Sequence, residues 1–171
     1  YPLSMKDLNS LENVGNLIES GVSSLKIEGR MKSVEYVYMV VSMYREAIDS
    51  YYKTGKVMID EDKFLKLKKI FNREYTKGFL GGANNYDVIN GYRPNHMWVD
   101  IGKVIGYDKG MATICLSDNL VIGSGLRVIG RNKDVGILVN EFYIDNKLVK
   151  EAKCGDNIKI RVNDKVEVND K

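Results

Sequence analysis

The spacing of apolar residues changes once along this chain, and that change limits the folds open to it. Up to about residue 73, apolar side chains recur at helical spacing. From about Val99 onward, short apolar runs are separated by turn residues, as at Asp108-Lys-Gly110 and Gly155-Asp156. The length of 171 residues suits one ordinary domain or two small ones. We therefore expect an α+β protein with a helical first part and a β second part.

Three helices are predicted in the first part. The first covers residues 4–20, begins at an N-cap serine with the carboxylate of Asp7 three residues on, and ends at Gly21. The second covers about residues 33–52. The third begins after Asp60 and has an apolar face of Phe64, Leu67, Ile70 and Phe71. The apolar stripe predicted for the second helix comprises Val37, Val40, Val41, Tyr44, Ala47, Ile48 and Tyr51.

Between the first two helices, residues 22–27 are predicted to form a short strand. The two-residue period of a strand gives it one apolar side and one side that carries Lys26, Glu28 and Arg30. Charged groups at the C-terminal end of a strand are typical of the active face of an α/β barrel. The alternative is an edge strand with a solvated charged face.

The second part is predicted to be a small closed barrel or a sandwich, because short strands recur about every ten residues with turns between them. The preceding segment is rich in Gly, Asn and Tyr, which indicates a linker. The predicted organisation is a helical segment over residues 1–75, a linker over 76–98 and a β-barrel over 99–171. The strands are predicted near residues 101–106, 111–116, 125–130, 135–143, 147–149, 157–162 and 166–168.

Charge and cysteine usage favour an intracellular protein. The net charge of +3 is spread evenly, unlike that of a dedicated nucleic-acid module. A lysine-rich run at residues 63–69 is predicted to be the solvated face of a helix, with a phosphate-facing patch as the alternative. Cys115 and Cys154 lack a partner at ligand spacing, so we predict buried thiols in a reduced, cytoplasmic protein without a metal site. No apolar run approaches the ~20 residues of a membrane helix, so no membrane contact is expected.

The residue types of a peptidase active site are scarce in this sequence. The one histidine, His96, lies in a Pro-Asn-His loop, where a structural hydrogen bond is expected. Ser124 lacks the outer glycine of a nucleophile elbow, because Ile122 occupies that position. A zinc peptidase needs two histidines at helical spacing. Proteolysis by this chain alone is therefore not expected.

One run of residues carries a family resemblance. Residues 24–33, Ser-Leu-Lys-Ile-Glu-Gly-Arg-Met-Lys-Ser, resemble the peptidase U32 family of collagenase-like proteins. The likeness continues at Ser4–Leu8, Glu19–Val22, Tyr36-Val37, Tyr44–Asp49, Phe71–Arg73, Gly78–Leu80, Arg93–His96 and Ile101–Val104. On these residues the chain is identified as a member of that family.

The resemblance implies a TIM-like α/β barrel in which residues 22–27 are the last strand, with the helices over 4–20 and 34–52 on either side. The chain begins with Tyr rather than Met, so we expect it to be the C-terminal portion of a larger bacterial enzyme whose N-terminal barrel precedes it. The β part separately resembles the second-domain barrel of elongation factor Tu and other translation factors. The residues that carry this second likeness are Ile101–Val104, Ile122–Leu126 and Glu151–Ile160.

The resemblance also implies an activity. Several members of the family are implicated in hydroxylating RNA bases, including the wobble uridine of tRNA, and others in oxygen-independent hydroxylation of a quinone precursor. The historical label of the family is a collagenase-like peptidase. We expect the intact enzyme to hydroxylate RNA, with a peptidase whose catalytic residues lie upstream as the alternative. A third hypothesis makes the barrel an interaction module for tRNA or protein.

Under the first hypothesis, the end of the predicted strand carries the site. Lys26 and Glu28 are the predicted catalytic residues. Lys26 would bind an anionic group, and Glu28 would orient Lys26 or transfer a proton. Arg30 and Lys32 are predicted to bind substrate, since guanidinium and ammonium groups suit phosphate and carboxylate. The alternative is a structural ion network at the rim of the barrel.

Further residues complete the expected site. Asn72 and Arg73 are predicted to bind substrate or to cap the third helix, where Arg complements the helix dipole. Relatives that hold an iron–sulfur cluster have Cys where this sequence has Asn9, so no cofactor is expected in this chain. The expected partners are tRNA or a peptide, the missing barrel, and a second copy bound through the apolar surface of Leu25 and Ile27.

Overall fold

Two apolar cores organise this chain, one in residues 1–99 and one in residues 100–171. The computed structural model describes residues 3–80, 88–91, 96–130 and 133–171. Residues 81–87 and 92–95 of the predicted linker, with most of the family likeness at Arg93–His96, lie outside the described residues. In the described part of the chain, no helix is both long and apolar enough to cross a membrane.

Local signals in the sequence define the two long helices of the first unit. Helix α2 (Val34–Thr54) begins at Ser33, whose hydroxyl accepts a hydrogen bond from the Tyr36 amide at 3.2 Å. It ends at Gly55, which has a φ of 72°. Helix α3 (Glu61–Ile70) begins at Asp60, whose carboxylate accepts from the Lys63 amide at 3.0 Å. The second and third predicted helices are therefore confirmed.

The first core lies where these helices meet the N-terminal segment. Its buried side chains are Leu11, Val14, Met43, Ala47 and Leu67. The predicted stripe of α2 is nearly right, but Val41 is exposed and Met43 is buried instead. Helical spacing identifies a face to within about a residue, and the packing against the neighbouring segments decides its edges.

The first predicted helix is wrong over its N-terminal half. Strand β1 (Asp7–Leu8) pairs in parallel with β2 (Tyr75–Thr76), and a 3₁₀ turn (Leu11–Asn13) leads into a short helix α1 (Val14–Glu19). Backbone amides that a helix would use internally donate instead to distant carbonyl oxygens. The Lys6 amide donates to the Val88 carbonyl at 2.9 Å, and the Asn9 amide to the Thr76 carbonyl at 2.8 Å. This long-range pairing leaves no periodic trace in the local sequence.

The predicted strand over residues 22–27 is also absent. Residues 22–29 form neither helix nor strand and join no ladder among the described residues, and Val22 and Leu25 are 42% and 38% exposed. A strand exists only when a neighbour accepts and donates its backbone hydrogen bonds. Residues 22–27 therefore have the alternating residue types of a strand but no neighbouring strand to pair with among the described residues.

The second unit consists of antiparallel strands. Its main sheet has the order β3-β4-β11-β8-β9, and two further ladders pair β5 with β10 and β6 with β7. The strands are β3 (Gly102–Asp108), β4 (Met111–Leu116), β5 (Leu120–Val121), β6 (Gly125–Gly130), β7 (Lys133–Leu138), β8 (Phe142–Ile144), β9 (Lys147–Val149), β10 (Glu151–Ala152) and β11 (Asn157–Arg161). Phe142, Ile158 and Val139 are fully buried in the core that all three ladders share.

The mixed α+β class is confirmed, but the closed barrel is wrong. Within the described residues the five-stranded sheet, the β5–β10 pair and the β6–β7 pair share no strand and do not join into one closed sheet. The predicted strand at 166–168 is wrong as well, since the Asp170 carboxylate accepts from the Glu167 amide at 2.8 Å and forms a turn. The likeness to translation factors stays a prediction.

Candidate anion-binding site in the first unit

The loop that follows residues 22–29 places Lys32 on an aromatic surface. The Lys32 ammonium lies 2.9 Å from the centroid of the Phe71 ring and 5.5 Å from that of Tyr36. Just before this loop, the chain approaches α2 closely at Gly29, where a β-carbon would lie 2.6 Å from Val37 Cγ2. Partial burial lowers the pKa of Lys32, while the carboxylate of Asp7 acts in the opposite direction.

A second cation stands beside the same ring. The guanidinium carbon of Arg73 lies 5.7 Å from the Phe71 centroid. Its Nε and Nη2 donate to Asp7 Oδ1 at 3.2 and 2.5 Å, and this hydrogen bonding is the main reason that the pKa of Arg73 is raised. The other oxygen, Asp7 Oδ2, is buried and accepts no hydrogen bond from the described residues. The Asp7 carboxylate thus binds Arg73 directly and acts on Lys32 through its charge.

Aromatic rings extend this surface. The His96 ring stacks on Phe71 with a centroid distance of 5.5 Å and an interplanar angle of 17°, and Trp98 lies 4.5 Å beyond it. His96 Nδ1 accepts hydrogen bonds from the amides of Asn72 at 2.9 Å and Trp98 at 3.3 Å. Its Nε2 lies 3.3 Å from the Lys69 carbonyl oxygen, so the proton belongs on Nε2. His96 therefore has the structural role expected from the sequence.

Asn72 organises the loop rather than facing outward. Its side-chain Nδ2 donates to the Trp98 carbonyl at 3.1 Å, and its Oδ1 accepts from the Glu74 amide at 2.9 Å. Both ends of the amide are thus engaged by the backbone. A substrate contact by Asn72 stays a prediction, and its observed contacts are those of a residue that positions Arg73.

The structure brings together only some of the predicted site residues. Lys32, Asn72 and Arg73 meet around Phe71. Lys26 and Glu28, which lie in residues 22–29, pair with each other instead at 3.2 Å. Their side chains are 87% and 73% exposed, and Arg30 is exposed as well. Their catalytic and binding roles stay predictions.

Two members of the cluster were missed by sequence reasoning. Asp7 was interpreted as a capping carboxylate, and Phe71 as a core residue of the third helix. The family likeness at Phe71–Arg73 was the available signal, because it placed an aromatic residue two positions before the arginine.

An open cleft of about 750 Å³ lies next to this cluster and shares Asn72 with it. Two ion pairs cross its wall, Lys6 with Glu74 at 3.4 Å and Lys77 with Glu12 at 2.6 Å. Asn9, which also lines the cleft, accepts a hydrogen bond from the Leu11 amide at 2.9 Å. Among the residues that the structure describes, no group of three or more His, Cys, Asp or Glu is arranged to hold a metal ion.

Comparisons with known proteins add three relatives. An uncharacterized protease of Methanocaldococcus jannaschii is 34% identical over 180 aligned positions, covering 100% of this chain and 44% of that protein. The tRNA hydroxylation protein P1 of Bacillus subtilis is 34% identical, covering 68% of this chain and 28% of that protein. A collagenase of Porphyromonas gingivalis is 31% identical, covering 100% of this chain and 43% of that protein. The chain thus spans less than half the length of each.

A solved structure and a family profile complete the comparison. The C-terminal domain of a Geobacillus thermoleovorans protein assigned as a U32 peptidase has a TM-score of 0.39 and 17% identity, over 41% of this chain and 84% of that domain. The profile of peptidase family U32 matches residues 1–90. Since this match covers more than half of the 171 residues, the chain belongs to the peptidase U32 family.

Proposed function

We propose that this chain is the C-terminal portion of an RNA-hydroxylating enzyme, and that Lys32 and Arg73 bind a phosphate of the RNA. The observation that carries the proposal is the pair of cations beside one aromatic ring, with Asp7 holding Arg73 in place. Phosphate is bound well by a guanidinium fork and by an ammonium point charge. The exposed part of Trp98 would offer a base a surface to stack on.

The names of the relatives support RNA as the substrate class. Proteins named for tRNA hydroxylation occur among them in Bacillus subtilis, Haemophilus influenzae and Escherichia coli, together with a 5-hydroxycytidine synthase of 23S rRNA. This function would place the protein in the cytoplasm. Two free thiols, the half-buried Cys115 and the exposed Cys154, are in keeping with a reducing compartment, although neither is the buried thiol that the sequence predicts.

The same proposal gives residues 22–27 a role. We propose that residues 22–27 become the last strand of a TIM-like barrel when the N-terminal part of the polypeptide is present. The exposure of Leu25 supports this, because the apolar side that Leu25 shares with Ile27 would be covered by neighbouring helices there. Lys26 and Glu28 would then stand at the rim of that barrel, where the predicted proton transfer belongs.

A peptidase is the second candidate, favoured by the relatives named protease and collagenase. Its catalytic residues would lie in the N-terminal barrel. The described residues weaken it, because His96 uses its ring nitrogens on the backbone and Cys154 is exposed without a histidine beside it in sequence.

The test is mass spectrometry of nucleosides from total tRNA and rRNA. Cells that lack the full-length gene would be complemented with the wild type, with Lys32→Gln, with Arg73→Gln or with the control Lys53→Gln, an exposed lysine at the end of α2. We expect one hydroxylated base to disappear on deletion and to return with the wild type and the control. The two site variants should restore little of it.

A conservative variant separates binding from folding at this site. Arg73→Lys keeps the positive charge but loses the fork that Asp7 accepts, so partial restoration is expected. An unchanged nucleoside profile in the deletion strain would contradict the proposal and leave the peptidase candidate.

A further inference from the structure

One row of paired residues crosses all five strands of the main sheet of the second unit, and four of its five members carry a side chain. The register pairs Gly106 with Thr113, Thr113 with Lys159, Lys159 with Tyr143, and Tyr143 with Leu148. Paired residues of neighbouring strands project on the same side of a sheet. The row therefore runs from β3 to β9 on a single face.

This face is the solvent side of the sheet. The residues that flank the row along the strands, Ile158, Ile160 and Phe142, are buried in the core. Since side chains alternate along a strand, Lys159 and Tyr143 point away from that core. Lys159 is accordingly exposed, and Tyr143 is half-buried.

Four positions of the row, Gly106, Thr113, Lys159 and Tyr143, line an open cleft of about 590 Å³. Two tyrosines, Tyr107 and Tyr143, two lysines, Lys109 and Lys159, and one carboxylate, Asp108, also belong to its lining. Asn146 Oδ1 accepts a hydrogen bond from the Lys159 ammonium at 3.1 Å, which holds that charge at the edge of the cleft. The cleft is within the roughly 300–1,000 Å³ of small-molecule sites.

We propose that this cleft binds a single-stranded segment of RNA, with a base stacked on Tyr143 and phosphates beside Lys159 and Lys109. Aromatic rings in a groove with cations are the recurring device for single strands, because every base has a π-face and every nucleotide a phosphate. Unpaired bases are free to stack on exposed aromatic side chains, whereas the bases of an RNA duplex are stacked on each other and its major groove is too deep and narrow for side chains to read. The aromatic rings beside the lysines also distinguish this cleft from a binding site for an acidic peptide, which would need only the lysines.

This inference goes beyond the proposed function, because it requires that the second unit bind RNA but not that any base be hydroxylated. RNA binding with an unchanged nucleoside profile would leave the inference standing and remove the proposed function. A changed profile without RNA binding by this unit would do the opposite.

The test measures fluorescence anisotropy of a labelled single-stranded RNA of about twelve nucleotides with the whole 171-residue chain. Tyr143→Ser should weaken binding about fivefold or more, whereas Tyr143→Phe keeps the ring and should stay within about twofold. Lys159→Gln should reduce the slope of log K against log salt by about 0.7 to 1. Lys150→Gln, an exposed lysine outside the cleft, is the matched control and should leave the affinity within about twofold.

A second readout measures base stacking directly. A 2-aminopurine base in the RNA should lose fluorescence when it stacks on Tyr143 of the wild type or on the ring of Tyr143→Phe. The exposed Lys159→Gln tests the cleft without touching the core. The inference is overturned if the wild type binds no RNA at low salt, if Tyr143→Ser with a wild-type circular dichroism spectrum binds as tightly as wild type, or if poly-glutamate or duplex RNA competes as well as single-stranded RNA.

Discussion

At the scale of residues, burial separates two ion pairs of the same chemistry. Asp7 pairs with Arg73 across 66 positions of sequence, and its side chain is 15% exposed. Asp49 pairs with Arg45 one helical turn away, and its side chain is 64% exposed. A partly buried charge loses more when its partner is removed, because water cannot replace the missing hydrogen bond.

Asp7→Asn should therefore lower the free energy of unfolding by about 1–3 kcal/mol, and Asp49→Asn by less than about 0.5 kcal/mol. Urea unfolding followed by the fluorescence of the single tryptophan, Trp98, measures both in the first unit. Equal losses from the two variants would show that burial does not strengthen the Asp7 pair.

A glycine in the second unit allows two strands to approach. A β-carbon at Gly102 would lie 2.6 Å from the backbone oxygen of Cys115, while one at Gly136 would meet no atom of the described residues within 4 Å. Both residues lie in strands, β3 and β7. The contact at Gly102 is with backbone, which cannot turn aside as a flexible side chain would.

Gly102→Ala should destabilise the second unit by about 1–3 kcal/mol, because the added methyl overpacks the β3–β4 pair. Gly136→Ala should be neutral or slightly stabilising, since it reduces the freedom of the unfolded chain. Urea unfolding followed by far-UV circular dichroism compares them. A wild-type midpoint for Gly102→Ala would contradict the close approach.

At the scale of elements, three tyrosines support the packing of α2 against the β1–β2 pair. Tyr36, Tyr44 and Tyr75 each have a raised pKa, mainly because burial disfavours the phenolate. The Tyr44 hydroxyl also accepts a hydrogen bond from the Ser10 amide at 2.9 Å, which ties α2 to the N-terminal segment. The neutral form of each ring therefore belongs to the folded state.

These shifts predict a loss of stability at alkaline pH. A folded-state pKa above the unfolded value of about 10 stabilises the protein fully below pH 10, and the contribution is lost as the pH rises through the folded-state values. The lowered pKa of Lys32 acts in the opposite direction, whereas the pKa of Tyr51, raised by its hydrogen bond to Glu19, acts in the same direction as the three buried tyrosines. The urea midpoint reported by Trp98 should therefore fall above about pH 10.

Tyr36→Phe and Tyr44→Phe together should reduce this alkaline loss, because phenylalanine has no proton to release. Tyr52→Phe, at a ring that is 73% exposed on the same helix, is the control and should leave the pH dependence unchanged. A midpoint that is flat up to pH 11 in the wild type would contradict the predicted role of the buried rings.

At the scale of the whole molecule, two units with separate cores predict two unfolding transitions. Leu67 is buried in the core of the first unit, and Ile158 in that of the second. Trp98 belongs to the first unit, whereas all strands of the main sheet belong to the second. Tryptophan fluorescence and the β signal of circular dichroism therefore report on different units.

Ile158→Ala should lower the midpoint of the circular dichroism transition by an amount that corresponds to about 2–5 kcal/mol, with little change in the fluorescence transition. Leu67→Ala should have the reverse effect. Coincident shifts in both signals for either variant would show that the units unfold as one cooperative block.

The sequence by itself determined the elements whose signals lie within a few residues of each other. The caps at Ser33 and Asp60 and the stop at Gly55 specify α2 and α3, because a cap acts on amides two or three positions away. The alternation around Ile158 likewise specified a strand with one buried side. The family likeness at residues 24–33 was readable for the same reason, since it is a contiguous run.

The tertiary structure alone decided which distant residues meet. The β1–β2 pair joins residues 7–8 to 75–76, and the same pairing brings Asp7 to Arg73 and so creates the candidate site. The row from Gly106 to Leu148 likewise depends on the register of five strands. Such contacts offset the entropy of closing long loops by burying many groups at once, so no local pattern encodes them.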